Sequence, residues 1–510
     1  MIRIFDRETR NDRASSTRKY FTTLLLLEML ERFSYYGMRS LLIFYLTKAM
    51  LKSDREAAWV YGTYTSLIFI TPLLGGYLAD RYLGLRKAIL FGGGAIAAGH
   101  LLLGLGSGPD SAAPNVFRMG LGFIILGTGF LKPGIATVVG QLYRHDEREC
   151  DAAYTLFYMA ANVGGLLGPL ICGLLGETLG WSWGFGAAAL GMIAGMVAFA
   201  IRAPVLHGIG DPPDRALLNR PVLRMVQLEW VIYAACLAGV PGLGLLLAQH
   251  DTVGMLLAGA SIMVIAYLGW ECVFRLKRSE RDPLLAALFL IGLNPLFWSL
   301  YEQAGSSLNL YIDRHADRTL WGVPLPASLF QSVNALYLIV LAPLLSALWL
   351  ALGKRGREPS TPAKMGLALI QLGIGFLILV AGAAAFGPER PTPILFVFAL
   401  LFWHTTAELC FSPIGLSAMS KLAPDRMAGL VMSVWFLATA AGSFIAGQIA
   451  AGIGGVPSSP AHGPAATLSV YRNVAALSIA AGLCVLILSP GIRRLMDRRT
   501  VRDTEPGTDS

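Results

Sequence analysis

At 510 residues the chain is 55% apolar and only 14% charged, with a mean hydropathy of +0.58. A soluble protein of this size carries nearer a quarter charged residues, so the composition excludes a soluble fold and points to an all-α protein that crosses a bilayer many times. The net charge of +9 does not call for nucleic acid, because basic segments beside membrane spans anchor to acidic lipid headgroups.

Apolar runs of about 20 residues, long enough to cross a bilayer as helices, centre near residues 35, 68, 96, 127, 164, 192, 237, 263, 298, 338, 375, 406, 440 and 482. These fourteen spans put both termini on one side. With that side cytoplasmic, 30 of the 41 Lys and Arg fall in inner segments and 8 in outer ones, while Arg32, Arg39 and Lys132 lie inside spans. This is the positive-inside pattern, and it predicts a multi-pass protein of the cell inner (plasma) membrane with both termini cytoplasmic. The first twenty residues lack an apolar core with a small-residue cleavage site, so no cleaved signal is expected. Six cysteines and seven scattered histidines show no metal-ligand spacing, so neither a disulfide framework nor a metal is expected.

Residues 1–20 read as a cytoplasmic tail and 21–203 as a six-helix bundle. The first span carries E-M-L-E-R-F-S-Y-Y-G-M-R from Glu28 to Arg39. At 100° per residue, Glu28, Glu31, Arg32 and Arg39 fall at about 0°, 300°, 40° and 20°, with Tyr35 and Tyr36 at about 340° and 80°. One charge at the bilayer centre costs about 2.5 to 3.5 kcal/mol, so this face must look into a bundle or a wet cavity. The second span ends in G-Y-L-A-D-R-Y-L-G-L-R-K, from Gly76 to Lys87, where a glycine turn and clustered charges predict a charged latch. The fourth holds G-T-G-F-L-K-P-G, with Lys132 one residue before Pro133. The fifth sets Asn162 in a small-residue seam, from which it bonds either a polar substrate or a neighbouring helix.

Residues 204–283 read as a Pro- and charge-containing linker followed by two spans almost free of ionisable residues near their centres, a lipid-facing hairpin. A second six-helix bundle takes 284–495, and 496–510 is a polar cytoplasmic tail. The ninth span places Glu302 and Gln303 one turn after Trp298; the tenth has Asn334; the twelfth puts Glu408 between His404 and Ser412; the thirteenth carries Trp435. His404 is expected to tune Glu408 through a one-turn contact. Phe157-Tyr158 and Gly164-Gly165 match Trp435-Phe436 and Gly442-Ser443 at one constant offset, an internal repeat of the kind two-bundle transporters show.

The charges expected to be buried are Glu28, Glu31, Arg32, Arg39, Lys132, Glu302 and Glu408, three cations against four anions. One carboxylate too many makes a group that can take up a proton, and coupling it to a conformational switch makes a proton-driven transporter. The absence of an H-E-x-x-H pattern, of paired aspartates in facing spans, and of Ser/His or Cys/His pairing argues against a membrane-embedded enzyme.

Taken together, E-x-x-E-R-F-x-Y-Y, G-x-G-x-x-K-P, F-Y-x-x-x-N-x-G, F-W-x-x-x-E-Q-x-x-S-S-L and E-x-x-x-S-P-x-G-L, in this order, resemble the proton-coupled oligopeptide transporter (POT/PTR) family of the major facilitator superfamily. The loop from Gly76 to Lys87 is similar to that superfamily's signature, and the extra hairpin resembles the one in bacterial members. The resemblance implies two six-helix bundles plus an inserted two-helix hairpin, and import of di- and tripeptides with protons by alternating access. It implies no cofactor beyond the proton as coupling ion, and a monomer is expected. It assigns proton coupling to Glu28, Glu31, Arg32 and Glu302. Gate salt bridges fall to Arg39 with Glu302 and to Lys132 with Glu408.

By the same resemblance, Arg32 and Lys132 hold the peptide carboxylate, Glu408 with Asn162 and Asn334 holds the amino group, and Tyr35, Tyr36, Trp298 and Trp435 wall side-chain pockets, with Ser412 nearby. Phe69 stands where many relatives have a pocket tyrosine, Ala161 replaces a bulkier apolar residue, and Gly165 stands where serine is frequent. The alternative on the same scaffold is another anionic or zwitterionic solute, such as nitrate or an amino acid derivative.

Overall fold

The computed structural model describes residues 2–107, 113–143, 147–202, 209–223, 226–320, 322–454 and 464–497. Among these, thirteen helices are long and apolar enough to cross a membrane. They are α2 (Asp54–Leu78), α3 (Leu85–Leu105), α4 (Pro114–Leu142), α5 (Glu147–Gly168, continued by a wide turn at Pro169–Gly173), α6 (Trp181–Arg202), α7 (Leu228–Leu246), α8 (His250–Phe274), α9 (Arg278–Tyr301), α10 (Gln331–Lys354), α11 (Thr361–Phe386), α12 (Ile394–Leu422), α13 (Ala428–Gly454) and α14 (Ala465–Met496). Before them comes α1 (Ile2–Phe44), whose apolar part from Phe21 onward is interrupted by Glu28, Glu31, Arg32 and Arg39 and so falls outside that apolar set; it makes the fourteenth.

The helices fall into two compact units. The first comprises 1–50, 70–248 and 328–335; the second comprises 51–69, 249–327 and 336–510. Two helices run from one unit into the other, α2 between Phe69 and Ile70 and α10 between Ala335 and Leu336. The inserted pair is shared out as well. α7 joins the first unit because Gly122 on α4 lets its backbone close up, a Cβ there lying 2.9 Å from the Val240 carbonyl oxygen. α8 joins the second through Gly254, which lies under the ring of Phe444 on α13. Only 11% and 17% of the apolar stretches of α7 and α8 are buried, close to the 11% of α10.

In the first unit α1 packs on α5 and α6, and α3 on α4 and α6. Glycines set the spacing: Gly99 faces the Gly120 carbonyl and Gly92 the Gly127 carbonyl, each 2.6 Å from where a Cβ would stand. Such close backbones gain van der Waals contact that lipid cannot offer, which is how helices associate inside a bilayer. Tyr20, Leu24, Leu27, Ile89, Ile135, Met192 and Phe199 fill the core. In the second unit α11 packs on α12 and α14, and α9 on α13.

The internal repeat has a packing meaning in each unit. Gly164 lets α5 meet α1 at Arg32, while Gly442 lets α13 meet α9 at Trp298 and Pro295.

The loop between α2 and α3 turns at Gly84, whose φ of +75° only glycine adopts without strain. Its cations are taken by the linker and not by Asp80, which is exposed. Arg86 lies 3.8 Å from Asp211 and donates its backbone N–H to Gly210, and Lys87 pairs with Glu229 of α7. In the second unit the chain of α9 breaks after Tyr301. A tight turn occupies Glu302–Gly305, Ser306 leaves helical geometry, and a new helix runs Ser307–His315.

Candidate functional site

α1 is a continuous helix, so residues three and four apart share its face, and packing on α5 and α6 removes that face from lipid. Glu28 and Glu31 are 3% and 2% exposed. The Arg32 Nε donates to Glu28 Oε1 at 2.8 Å and stands 3.2 Å from Glu31 Oε2. That Glu31 oxygen is buried and accepts no hydrogen bond among the described residues. One guanidinium therefore serves two carboxylates unequally, and Glu31 is the one left short of donors.

Lys132 lies within electrostatic range of Arg32, Glu31, Glu28 and Arg39. The first unit thus collects three cations and two carboxylates. Tyr35 is buried and meets Tyr36 edge to face at 5.0 Å. Gly165 explains itself here: a Cβ would stand 3.3 Å from the Tyr36 ring, so a serine would press on that tyrosine. Asn162 is 9% exposed and spends its amide on its own helix, donating to the Tyr158 carbonyl at 2.8 Å. That bond is neither of the two roles expected of it. Asn334 belongs to the part of α10 in the first unit, where Ser332 donates to the Leu166 carbonyl at 2.9 Å.

In the second unit Glu302 is 2% exposed and sits at the break of α9. Gln303 staples that break: its amide donates to the Ser299 and Ala446 carbonyls at 2.9 and 3.1 Å, and its oxygen accepts from Ser307 at 2.6 Å. Glu408 accepts a hydrogen bond from the Tyr301 hydroxyl. One-turn spacing on α12 predicts His404 in that place; instead His404 is packed against Phe376 at 4.8 Å and the Tyr301 ring at 6.2 Å, with both ring nitrogens buried and without hydrogen bonds among the described residues. A hydroxyl on the broken helix reaches the carboxylate across α9 and α12, whereas the imidazole on Glu408's own helix turns into the α11 packing.

Trp298 contacts Phe69 at 6.3 Å and Tyr301 at 5.3 Å, and its indole Nε1 is buried with no acceptor among the described residues. Trp435 is 2% exposed and leans on Phe411, which stacks on Phe297 at 4.0 Å, so it supports the aromatic wall from behind. Asn294, which the sequence reading passed over, holds it there by donating to the Trp435 carbonyl at 3.3 Å and accepting from Thr439 at 3.1 Å. A buried amide beside Pro295 inside a span was the available signal. Ser412 is half-buried on α12, one turn after Glu408. No cluster of metal-ligating side chains occurs among the described residues.

The arrangement separates charge by unit, a net positive group in the first and two carboxylates in the second.

The family model described as PTR2, POT family, matches residues 86–459. The peptide transporter YePEPT of Yersinia enterocolitica subsp. palearctica serotype O:3 (strain YE-P4) is 34% identical over 501 residues, covering 94% of this chain and 96% of that protein. An uncharacterized transporter of Bacillus subtilis (strain 168), YclF, is 34% identical over 481 residues, covering 93% and 94%. Among solved structures, a mutant of a peptide transporter POT in complex with alafosfalin superposes with a TM-score of 0.80 at 30% identity, over 93% of this chain and 95% of that one. A POT family transporter in complex with 5-aminolevulinic acid gives 0.78 at 28% identity, over 92% and 96%.

Proposed function

The chain belongs to the POT family of membrane transporters, and from that premise we propose that it imports di- and tripeptides together with protons by alternating access. The observation that carries the coupling role is the buried Glu28, Glu31 and Arg32 group, in which one carboxylate oxygen within 3.2 Å of the guanidinium accepts no hydrogen bond among the described residues. A proton on Glu31 satisfies that oxygen's neighbourhood and frees Arg32 to take an incoming carboxylate. Lys132 assists with the peptide carboxylate, and Glu408, set by Tyr301, receives the amino group. Contacts to the two charged ends are indifferent to side chains, so a broad range of peptides follows.

The cycle begins with uptake of a proton and a peptide from outside. The peptide's two ends draw the cationic and carboxylate groups together, Arg39 and Lys132 exchange partners with Glu302 and Glu408, and both cargoes leave inward. Each net charge carried inward gains about 2.3 kcal/mol per 100 mV. The protein works as a monomer in the inner membrane with both termini cytoplasmic and needs no cofactor besides the proton. It catalyses no covalent step. Amino acid derivatives are a second cargo class, supported by the relative solved with 5-aminolevulinic acid.

Uptake of labelled dialanine into proteoliposomes, with and without an inward-acid gradient, tests the reading. Wild type should concentrate the peptide only under the gradient. Glu31→Gln should lose that response while keeping exchange between equal pools. A purified, monodisperse sample that neither takes up dialanine nor is inhibited by it refutes the peptide assignment.

A further inference from the structure

A cavity of about 480 Å³ opens in the second unit at the His315 end of the broken helix. Arg314 and His315 from that end line it, with Glu389, Arg390 and Thr392 from the segment joining α11 to α12, and Arg472 from α14. Only 8 of the chain's 41 Lys and Arg lie on the side opposite the termini, and three of those eight meet here.

The wall is fastened. Ala316–Asp317 pairs in parallel with Thr392–Pro393, and the Tyr311 hydroxyl is 2.7 Å from that of Thr392. Arg318 braces the segment after the Ser307–His315 helix by donating to the Leu325 and Asp313 carbonyls at 2.7 and 3.0 Å. Three guanidinium groups held on such a frame repel one another unless an anion lies among them. Glu389 supplies one carboxylate, but Arg390 and Arg472 form no ion pair among the described residues, and residues 455–463, which lead into α14, contain no acid. Arg314 is committed elsewhere, donating to both carboxylate oxygens of Asp54 at 2.5 and 2.8 Å. Asp54 is the first residue of α2, and it lies in the stretch 51–69 that groups with the second unit.

We propose that this cavity binds a phosphate-class oxyanion, and that the bound anion competes with Asp54 for Arg314. Guanidinium forks match phosphate oxygens two at a time, and the volume falls within the range of about 300 to 1,000 Å³ usual for small-ligand sites. Once Arg314 turns to the anion, the start of α2 loses its bidentate anchor on the second unit. The site therefore reports the anion content of one compartment to a helix that both units share. It is independent of the peptide assignment, since none of the proposed peptide-binding residues lines it. The same chemistry is offered by a soluble phosphate ester and by a phospholipid headgroup.

The test is calorimetric titration of the purified full-length protein in neutral detergent with pyrophosphate, at ionic strength matched with sodium chloride. Wild type should bind saturably. Arg472→Gln and Arg390→Gln, both at exposed positions that spare the fold, should each weaken binding about tenfold or more. Asp54→Asn should tighten it about threefold or more by releasing Arg314. No saturable heat up to about 10 mM, or equal affinity in wild type and both arginine variants, overturns the site. Unchanged affinity in Asp54→Asn overturns the competition. Repeating the titration in nanodiscs identifies the occupant. Suppression by phosphatidylglycerol but not phosphatidylcholine assigns the cavity to a lipid headgroup, and binding in both assigns it to a soluble anion.

Discussion

Replacing Arg32 with glutamine should destabilise the protein more than the loss of one side chain warrants, and a second substitution should restore most of the loss. Arg32 stands 2.8 Å from Glu28 and 3.2 Å from Glu31, and both carboxylates are at most 3% exposed. At an effective dielectric of about 20, each contact near 3 Å corresponds to roughly 5 kcal/mol of attraction, offset largely by desolvation. What survives is the cost of stranding buried charge, about 3 to 5 kcal/mol when one partner of such a group is removed. Arg32→Gln should therefore unfold several degrees below wild type. Adding Glu31→Gln removes one stranded carboxylate, so the double variant should regain about half of the loss or more, a coupling of about 1 to 3 kcal/mol. Thermal unfolding followed by tryptophan fluorescence in detergent, on wild type, both single variants and the double, gives the complete cycle. Additive losses would refute the view that the three side chains act as one charge group.

Tyr301→Phe removes the hydroxyl that positions Glu408. A hydrogen bond to a charged group is worth about 1.5 to 3 kcal/mol, so the half-saturating dipeptide concentration should rise about tenfold or more in uptake assays. Inhibition by an N-acetylated dipeptide, which lacks the amine, should hardly change. Trp298→Phe keeps an aromatic ring but loses the five-membered ring that carries the buried, unaccepted Nε1 donor. If that donor serves cargo, apparent affinity should fall about fivefold with the melting temperature nearly unchanged, and a purely structural indole would show the reverse. Gly442→Ala places a methyl 2.8 Å from the Trp298 Cβ and 3.0 Å from the Pro295 carbonyl oxygen, so it should cost about 1 to 3 kcal/mol and shift tryptophan emission. Gly429→Ala, with nothing within 4 Å, is the control and should be neutral in the same unfolding assay.

What the sequence makes legible is what one helix determines by itself. Charge expense inside a bilayer forces Glu28, Glu31 and Arg32 onto a shared buried face, and helical period alone says that they touch. The constant offset between Gly164 and Gly442 carries over to three dimensions because both residues do the same job, admitting the next helix of their own unit.

Partner choice across helices is another matter. Helical spacing offers His404 to Glu408, but Tyr301 wins because the chain of α9 breaks there and swings its hydroxyl across to α12. Likewise the basic loop before α3 finds Asp211 and Glu229, residues more than a hundred positions away that read as linker and lipid-facing helix. Nor does hydropathy reveal that α2 and α10 divide their length between units, since each reads as one apolar span.

That division has a mechanical consequence. A helix whose residues belong to two units bends most readily where its own backbone bonding is interrupted. Pro72 falls three residues past the crossing point of α2 and Pro343 eight past that of α10, each lacking the N–H that would tie it to the carbonyl four residues back. The same missing N–H recurs at Pro133 of α4, Pro295 of α9, Pro413 of α12 and Pro490 of α14, so compliance is spread along several spans and not confined to these two.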